Sequence, residues 1–323
     1  MLGFILSRVL QAIPVLLVVG LLSFVLFAYI GDPVSIMLGQ DHTEAQRLAL
    51  VAELGLDQPF LIRFGRFLMA TVQGDFGISY RLAKPVGPLL ASRLPATLEL
   101  AVTATVLAFA AGVPMGVYTG IRANGLVARL VMIVSLIGVS LPTFLMGILL
   151  ILVFAVGLGW LPSFGRGPVS AIGGWWTTGF SSWAGVRALI LPAVTLGLFQ
   201  MTMIMRLVRS EMLEVLRSDY VRFARARGLT DSAINFGHAL KNTLVPVITI
   251  VGLQFGGIVA FSLVTETVFQ WPGMGLLLVQ SVASADIPVI SAYLPLIALL
   301  FVTINLVVDL LYYAVDPRLR FSA

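Results

Sequence analysis

The chain has 323 residues, 59% of them hydrophobic and only 11% charged, with a mean hydropathy of +1.02. A soluble domain of that length needs far more charge to cover its surface, so lipid is the solvent for most of this sequence. The formal charge of +5 suits arginines beside membrane spans as well as nucleic-acid binding, and the lack of cysteine excludes a disulfide framework, a thiolate nucleophile and a Cys-ligated metal.

Crossing about 30 Å of hydrocarbon takes roughly 20 apolar residues. Six runs meet that length, at about 9–30, 97–119, 130–157, 187–206, 243–265 and 289–313. The sequence therefore predicts an all-α, polytopic membrane protein. Its parts are a first helix over 1–30, a loop over 31–96, a five-helix core over 97–313 and a tail over 314–323. The first run is too long for a signal-peptide core and lacks a small-x-small cleavage site, so it reads as a retained anchor. Twelve of the 20 basic residues fall on one side of the alternating path, which places both termini and the 207–242 segment in the cytoplasm.

The 31–96 loop carries its own helical signals. Thr43 and Gln46 form a capping box, with a stop at Gly55. Phe60, Phe64, Phe67, Leu68 and Thr71/Val72 then mark a helical face that ends at Gly74. Two readings stand: an amphipathic helix lying on the outer membrane surface, or an external platform that touches a partner or substrate. In the second span, Pro95 starts the helix and Glu99 sits in its first turn, where the helix dipole favours a carboxylate. Gly112, Gly116 and Gly120, with Gly252 and Gly256 in the fifth span, form small-residue ladders that let backbones approach. Pro114, Pro142 and Pro192 permit bends.

Between the third and fourth spans, Trp160, Trp175, Trp176 and Trp183 read as interfacial anchors. The stretch "ETVFQWPGMGLLLVQSVASADIP" is too short to span and reads as a re-entrant or surface helix closed by the Trp271-Pro272-Gly273 turn. Asp309 lies near the end of the sixth span, one turn past Asn305.

Chemistry is sparse. No H-E-x-x-H metal pattern and no G-x-x-x-x-G-K phosphate loop occurs. An intramembrane serine hydrolase would need Ser140, in "GVSLP", beside His238, yet Pro142 replaces the closing glycine of the nucleophile elbow and neither histidine lies in a span. Too few charges lie within the spans for a proton relay.

One charged segment remains, "DYVRFARARGLTDSAINFGHALKN" from Asp219 to Asn242. Met212, Val215, Leu216, Tyr220, Phe223 and Ala224 form an apolar helical stripe. Gly228 fits the C′ position of a left-handed helix stop, and Leu229 is placed for the accompanying hydrophobic contact. Thr230 or Asp231 caps a second helix through Ile234 and Phe236 towards Lys241. Attachment to spans at both ends leaves such a unit little freedom to enter a DNA groove. It suits transmission of a rigid-body push.

This segment resembles the cytoplasmic EAA-type loop of ABC-importer permeases in the dipeptide/oligopeptide/nickel family. The likeness extends over "SRVLQAIPVLLVV", "GDPV", "LGLDQP", "GDFGIS", "SRLPATLEL", "LPAVTLG", "ETVFQWPGMG" and "INLVVDLLYYAVDPRLR", and the order matches the first permease of a heterodimeric pair. The resemblance implies a type I ABC-importer permease fold with no enzymatic activity of its own. It also implies a second permease subunit, two ATPase subunits that bind ATP and Mg, and a periplasmic or lipid-anchored solute-binding protein. Membrane lipid is the remaining partner and nucleic acid is not one. Docking on an ATPase would fall to Tyr220, Arg222, Phe223, Ala224, Arg225, Ala226, Arg227, Gly228 and Leu229. Arg222 stands at the motif's glutamate and Lys241 at its proline, so the motif's carboxylate contact is not carried over. Location in a bacterial inner membrane follows, with short peptides as the expected cargo and nickel chelates or glutathione as alternatives.

Overall fold

The computed structural model describes residues 2–29, 43–53 and 57–315. The predicted stop at Gly55 and the tail beyond Val315 lie outside them. The chain divides into two compact units, one of residues 1–94 with 273–303 and one of 95–272 with 304–323.

In the first unit, α1 (Leu2–Tyr29) is apolar except for Ser7, Arg8, Gln11 and Ser23. The Thr43–Gln46 capping box forms: the Thr43 amide donates to Gln46 Oε1 at 3.0 Å and the Gln46 amide to Thr43 Oγ1 at 3.3 Å. It opens α2 (Glu44–Glu53). Helix α3 (Phe60–Gln73) stops at Gly74 in the left-handed conformation, with φ +75°. Its aromatic face closes on buried Phe24 of α1, whose ring lies 5.2, 5.5 and 5.7 Å from Phe60, Phe64 and Phe67. Helix α4 (Val86–Ile121) begins in this unit. Val86 and Leu90 pack with Met274 and Leu277 of α10 (Met274–Ala283) and with Val289, Ala292 and Tyr293 of α11 (Ile287–Val315). Helix α10 is thus largely buried, not laid on a surface. Asp286, before α11, holds the 79–81 turn by accepting from Ser79 Oγ and from the amides of Tyr80 (3.0 Å) and Arg81 (3.4 Å).

The second unit holds the rest of α4, then α5 (Leu126–Ser140) and α6 (Thr143–Leu150), which continues as a π-helical stretch to Gly157. The predicted third span is therefore broken: the two halves meet at 111°. Pro142 supplies no amide for a continuing helix and pushes Leu141 out of helical geometry, so the chain turns there. A short hairpin follows, β1 (Ser170–Ile172) antiparallel to β2 (Trp176–Thr178). Then come α7 (Trp183–Val215), α8 (Asp219–Ala226), a π-helical turn over Ala233–Ala239 and α9 (Leu240–Val268). Among the described residues, five helices are long and apolar enough to cross a membrane, and the bent α5–α6 pair makes up to six.

The glycine ladder of α4 meets a matching row on α7. A Cβ on Gly112 would lie 3.1 Å from Ile204 Cβ, one on Gly116 2.6 Å from Val208 Cβ, and one on Gly120 2.8 Å from Met212 Cβ. Lipid tails are as apolar as leucine, so helices in a membrane associate through such close packing. Hydroxyls along these helices satisfy themselves on their own turns, as Thr119 does on Met115 O (2.8 Å) and Thr195 on Leu191 O (2.8 Å).

Candidate functional site

Helix α7 has 33 residues, about 50 Å at 1.5 Å per residue, against about 30 Å of hydrocarbon. One end must therefore project beyond the lipid, and the end carrying Arg206, Arg209, Glu211 and Glu214 is the charged one. The helix stops at Val215. The amides of Arg217 and Ser218 fold back to Glu214 O and Val215 O at 3.1 Å each, and α8 starts afresh at Asp219. An acidic residue in its first turn and Arg225 in its last complement the helix dipole.

That turn resets the helical phase, which corrects the predicted stripe. The buried face of α8 is Val221 and Ala224, packed with Ile234 of the π-helical turn and with Val215 and Leu216. Tyr220 and Phe223, predicted on the same stripe, point outward, and Phe223 is 64% exposed. The Tyr220 hydroxyl accepts from Asn242 Nδ2 at 2.9 Å, which braces α8 against the start of α9.

The joint has the predicted geometry. Gly228 holds φ +79°. Its amide donates to Arg225 O at 2.9 Å and the Leu229 amide donates to Ala224 O at 3.3 Å, the paired bonds of a Schellman stop. Leu229 itself remains exposed. Thr230 is the cap of the next helix, its Oγ1 accepting from the Ala233 amide at 3.3 Å. Asp231 instead faces Arg225 at 3.8 Å. The next helix has no end of its own: it runs through the π-helical turn straight into α9.

Of the nine predicted residues, Ala224 alone is buried and serves the mounting. Tyr220, Arg222, Phe223, Arg225, Ala226, Arg227, Gly228 and Leu229 share the exposed side. The Arg227 guanidinium lies over the Phe223 ring at 5.7 Å, and Arg222 pairs with Asp219 at 3.3 Å in full solvent exposure. An exposed aromatic carrying an arginine on its ring, on a helix packed by Val221 and Ala224, has the composition of an interaction hot spot.

A second constellation escaped the sequence. Helix α4 starts at Val86, not Pro95, so Glu99 lies in its fourth turn and has no helix end to face. Its carboxylate is buried against Arg166, with side chains 4% and 6% exposed. Arg166 donates from Nε to Glu99 Oε2 at 3.1 Å and also from Nη2; its Nη1 reaches Thr177 Oγ1 at 3.0 Å and Nη2 reaches Thr177 O at 2.7 Å. The Gly179 amide donates to Glu99 Oε1 at 2.9 Å. Arg166 also lies over Trp271, wholly buried, whose indole donates to Ala96 O at 2.9 Å. The pair bolts the hairpin segment to α4. The available signal was complementarity of singletons: Arg166 is the one charge between Leu158 and Trp183, and Glu99 the one charge between Leu94 and Ile121.

Ser140 and His238 are both exposed, and among the described residues no hydrogen bond joins them. No nucleophile–base pair is assembled there.

The chain matches the family described as binding-protein-dependent transport system inner membrane component over residues 112–321, and that family's N-terminal domain over residues 1–101. It is 41% identical to the glutathione transport system permease proteins GsiC of Salmonella paratyphi A and Salmonella typhimurium, over 325 aligned positions covering the whole of each chain. The protein of that name from Escherichia coli is likewise 41% identical end to end.

Proposed function

The chain belongs to the binding-protein-dependent transport system inner membrane components and is a permease subunit of an ABC importer; from that premise we propose that α8 and the Gly228 joint are its docking site for an ATPase. Two ATPase subunits, holding ATP and Mg, engage this permease and a second permease subunit. The chain contributes no catalytic residue. The segment 207–242 and both termini face the cytoplasm, and the solute-binding protein delivers cargo on the opposite side.

The observation that carries this reading is the rigid presentation of Phe223 and Arg227. They project from a short helix held on one side by α7 and on the other by the turn that leads into α9. A push on such a helix moves both long helices without being absorbed in a flexible loop.

Glutathione is the proposed cargo, supported by 41% identity over the full length to permeases named for it. Short peptides, the expectation from sequence, become the second reading, since glutathione is itself a tripeptide. The test is uptake into proteoliposomes carrying the complete complex, with ATP inside and labelled glutathione or a dipeptide outside. ATP-dependent accumulation of glutathione ahead of the dipeptide is expected. Uptake of the dipeptide alone would reject the cargo and leave the docking assignment standing.

A further inference from the structure

Helix α3 presents three chemically distinct sides. At about 100° per residue, Phe60, Phe64, Phe67 and Leu68 fall on one arc, the one packed on α1. Leu61, Met69 and Val72, with Ile62 at its margin and Gly65 between, occupy the next arc, and they are exposed: Leu61 is 77% and Val72 84% accessible. Arg63, Arg66 and Gln73 occupy the third, and the helix carries no acidic residue. A water-soluble amphipathic helix has one apolar face. This one has two, and one of them has no protein on it within its unit.

Its depth says what covers the second. Phe24 and Gly20 lie five and nine residues before Tyr29, the last described residue of α1, so they sit about 8 and 14 Å along the axis from it. The helix crosses α1 there: Phe67 touches Phe24 and Phe27, and Leu68 closes on Gly20. With α1 spanning the bilayer, this crossing lies at the upper acyl chains and not above the headgroups. A protein arriving from water does not reach a side chain at that level. Arg66 is exposed on the side of α3 opposite Leu61 and Val72, and Arg63 lies one turn before it with its guanidinium 5.8 Å from the Phe24 ring; long basic side chains starting at this level can reach up to the phosphate layer.

We infer that α3 is a phospholipid-binding element: Leu61, Met69 and Val72 lie among acyl chains while Arg63 and Arg66 together hold the phosphate of an anionic headgroup. The committed ligand is the phospholipid, not free phosphate.

The chain's lack of cysteine makes the test direct. Met69→Cys, Val72→Cys and Gln73→Cys, each in the complete complex in nanodiscs containing phosphatidylglycerol, are labelled with a fluorophore. Lipid spin-labelled on the upper acyl chain is expected to quench positions 69 and 72, and aqueous iodide to quench position 73. A basic residue near an anionic surface contributes about 1 kcal/mol, roughly fivefold in affinity. The double variant R63Q/R66Q is therefore expected to retain many-fold less phosphatidylglycerol on delipidation, and excess inorganic phosphate is expected to displace none from the parent. Iodide quenching at 69 and 72 equal to that at 73 would overturn the inference, as would their protection by added solute-binding protein, unchanged lipid retention in R63Q/R66Q, or displacement by inorganic phosphate. None of these readouts depends on which cargo is transported.

Discussion

The amide of Leu229 donates to the carbonyl of Ala224 at 3.3 Å, and Gly228 between them holds φ +79°. A Cβ at Gly228 would meet nothing within 4 Å. Within the chain, a Cβ there is therefore opposed by backbone conformation and not by crowding.

A graded series follows. Left-handed geometry costs an ordinary L-residue roughly 1–2 kcal/mol, and asparagine less. Gly228→Asn is expected to retain near-normal uptake, Gly228→Ala to lose part of it, and Gly228→Ile to lose most while still inserting and assembling. Uptake and ATP hydrolysis are to be measured together. Parent-level uptake in Gly228→Ile sinks the docking assignment.

Phe223 is exposed and carries Arg227 on its ring, so Phe223→Ala removes nothing from the chain's own core. Thermal stability of the isolated chain should stay within about 0.5 kcal/mol. An anchor of this type is worth about 2 kcal/mol or more when truncated, so ATPase binding should weaken roughly thirtyfold. A thermal melt and a pull-down titration in detergent, run on one preparation, read the two quantities. Val221→Asp, which puts a charge into the buried cluster, should instead lower stability first.

Glu99 and Arg166 are a buried pair, and removing one partner strands the other. Arg166→Leu alone is expected to cost about 3–5 kcal/mol. Adding Glu99→Gln should recover most of that, because the amide oxygen still accepts from Gly179 and no bare charge remains. Thermal inactivation midpoints of the two variants provide the comparison. Equal midpoints would mean the pair contributes no electrostatic lock.

Gly116→Ala is expected to destabilise by about 1–3 kcal/mol through overpacking. The added carbon would lie 2.6 Å from Val208 Cβ and 2.7 Å from Met205 O. Val208→Ala keeps that Cβ and should not rescue it. Gly237→Ala, where nothing lies within 4 Å, is the neutral control.

How much of this was legible differs by feature. Spans 1, 2, 4, 5 and 6 were readable because uninterrupted apolar length is a global property that no single residue overturns. The stops at Gly74 and Gly228 and the Thr43–Gln46 box were readable because they are local backbone chemistry, complete within six residues. Pro95 misled: proline is favoured in a first helical turn, but packing of Val86 and Leu90 carries α4 past it. The 111° break at Pro142 was visible only as permission to bend. The outward turn of Phe223 depended on two or three non-helical residues after Val215, too few to register in periodicity. The Glu99–Arg166 contact joins residues 67 apart, and only the fold brings them together.

The glycine seam between α4 and α7 ends at Gly120 and Met212, less than one helical turn before Val215 hands over to α8. Because each notch is filled by a Cβ, the two helices have no room to slide past one another. On the docking proposed for α8, force applied there would drive a doubled beam, stiffer than either rod. Outside that seam the helical path is irregular at two places, the 111° corner at Pro142 and the π-helical turn before α9. Softening either corner would waste stroke without weakening grip.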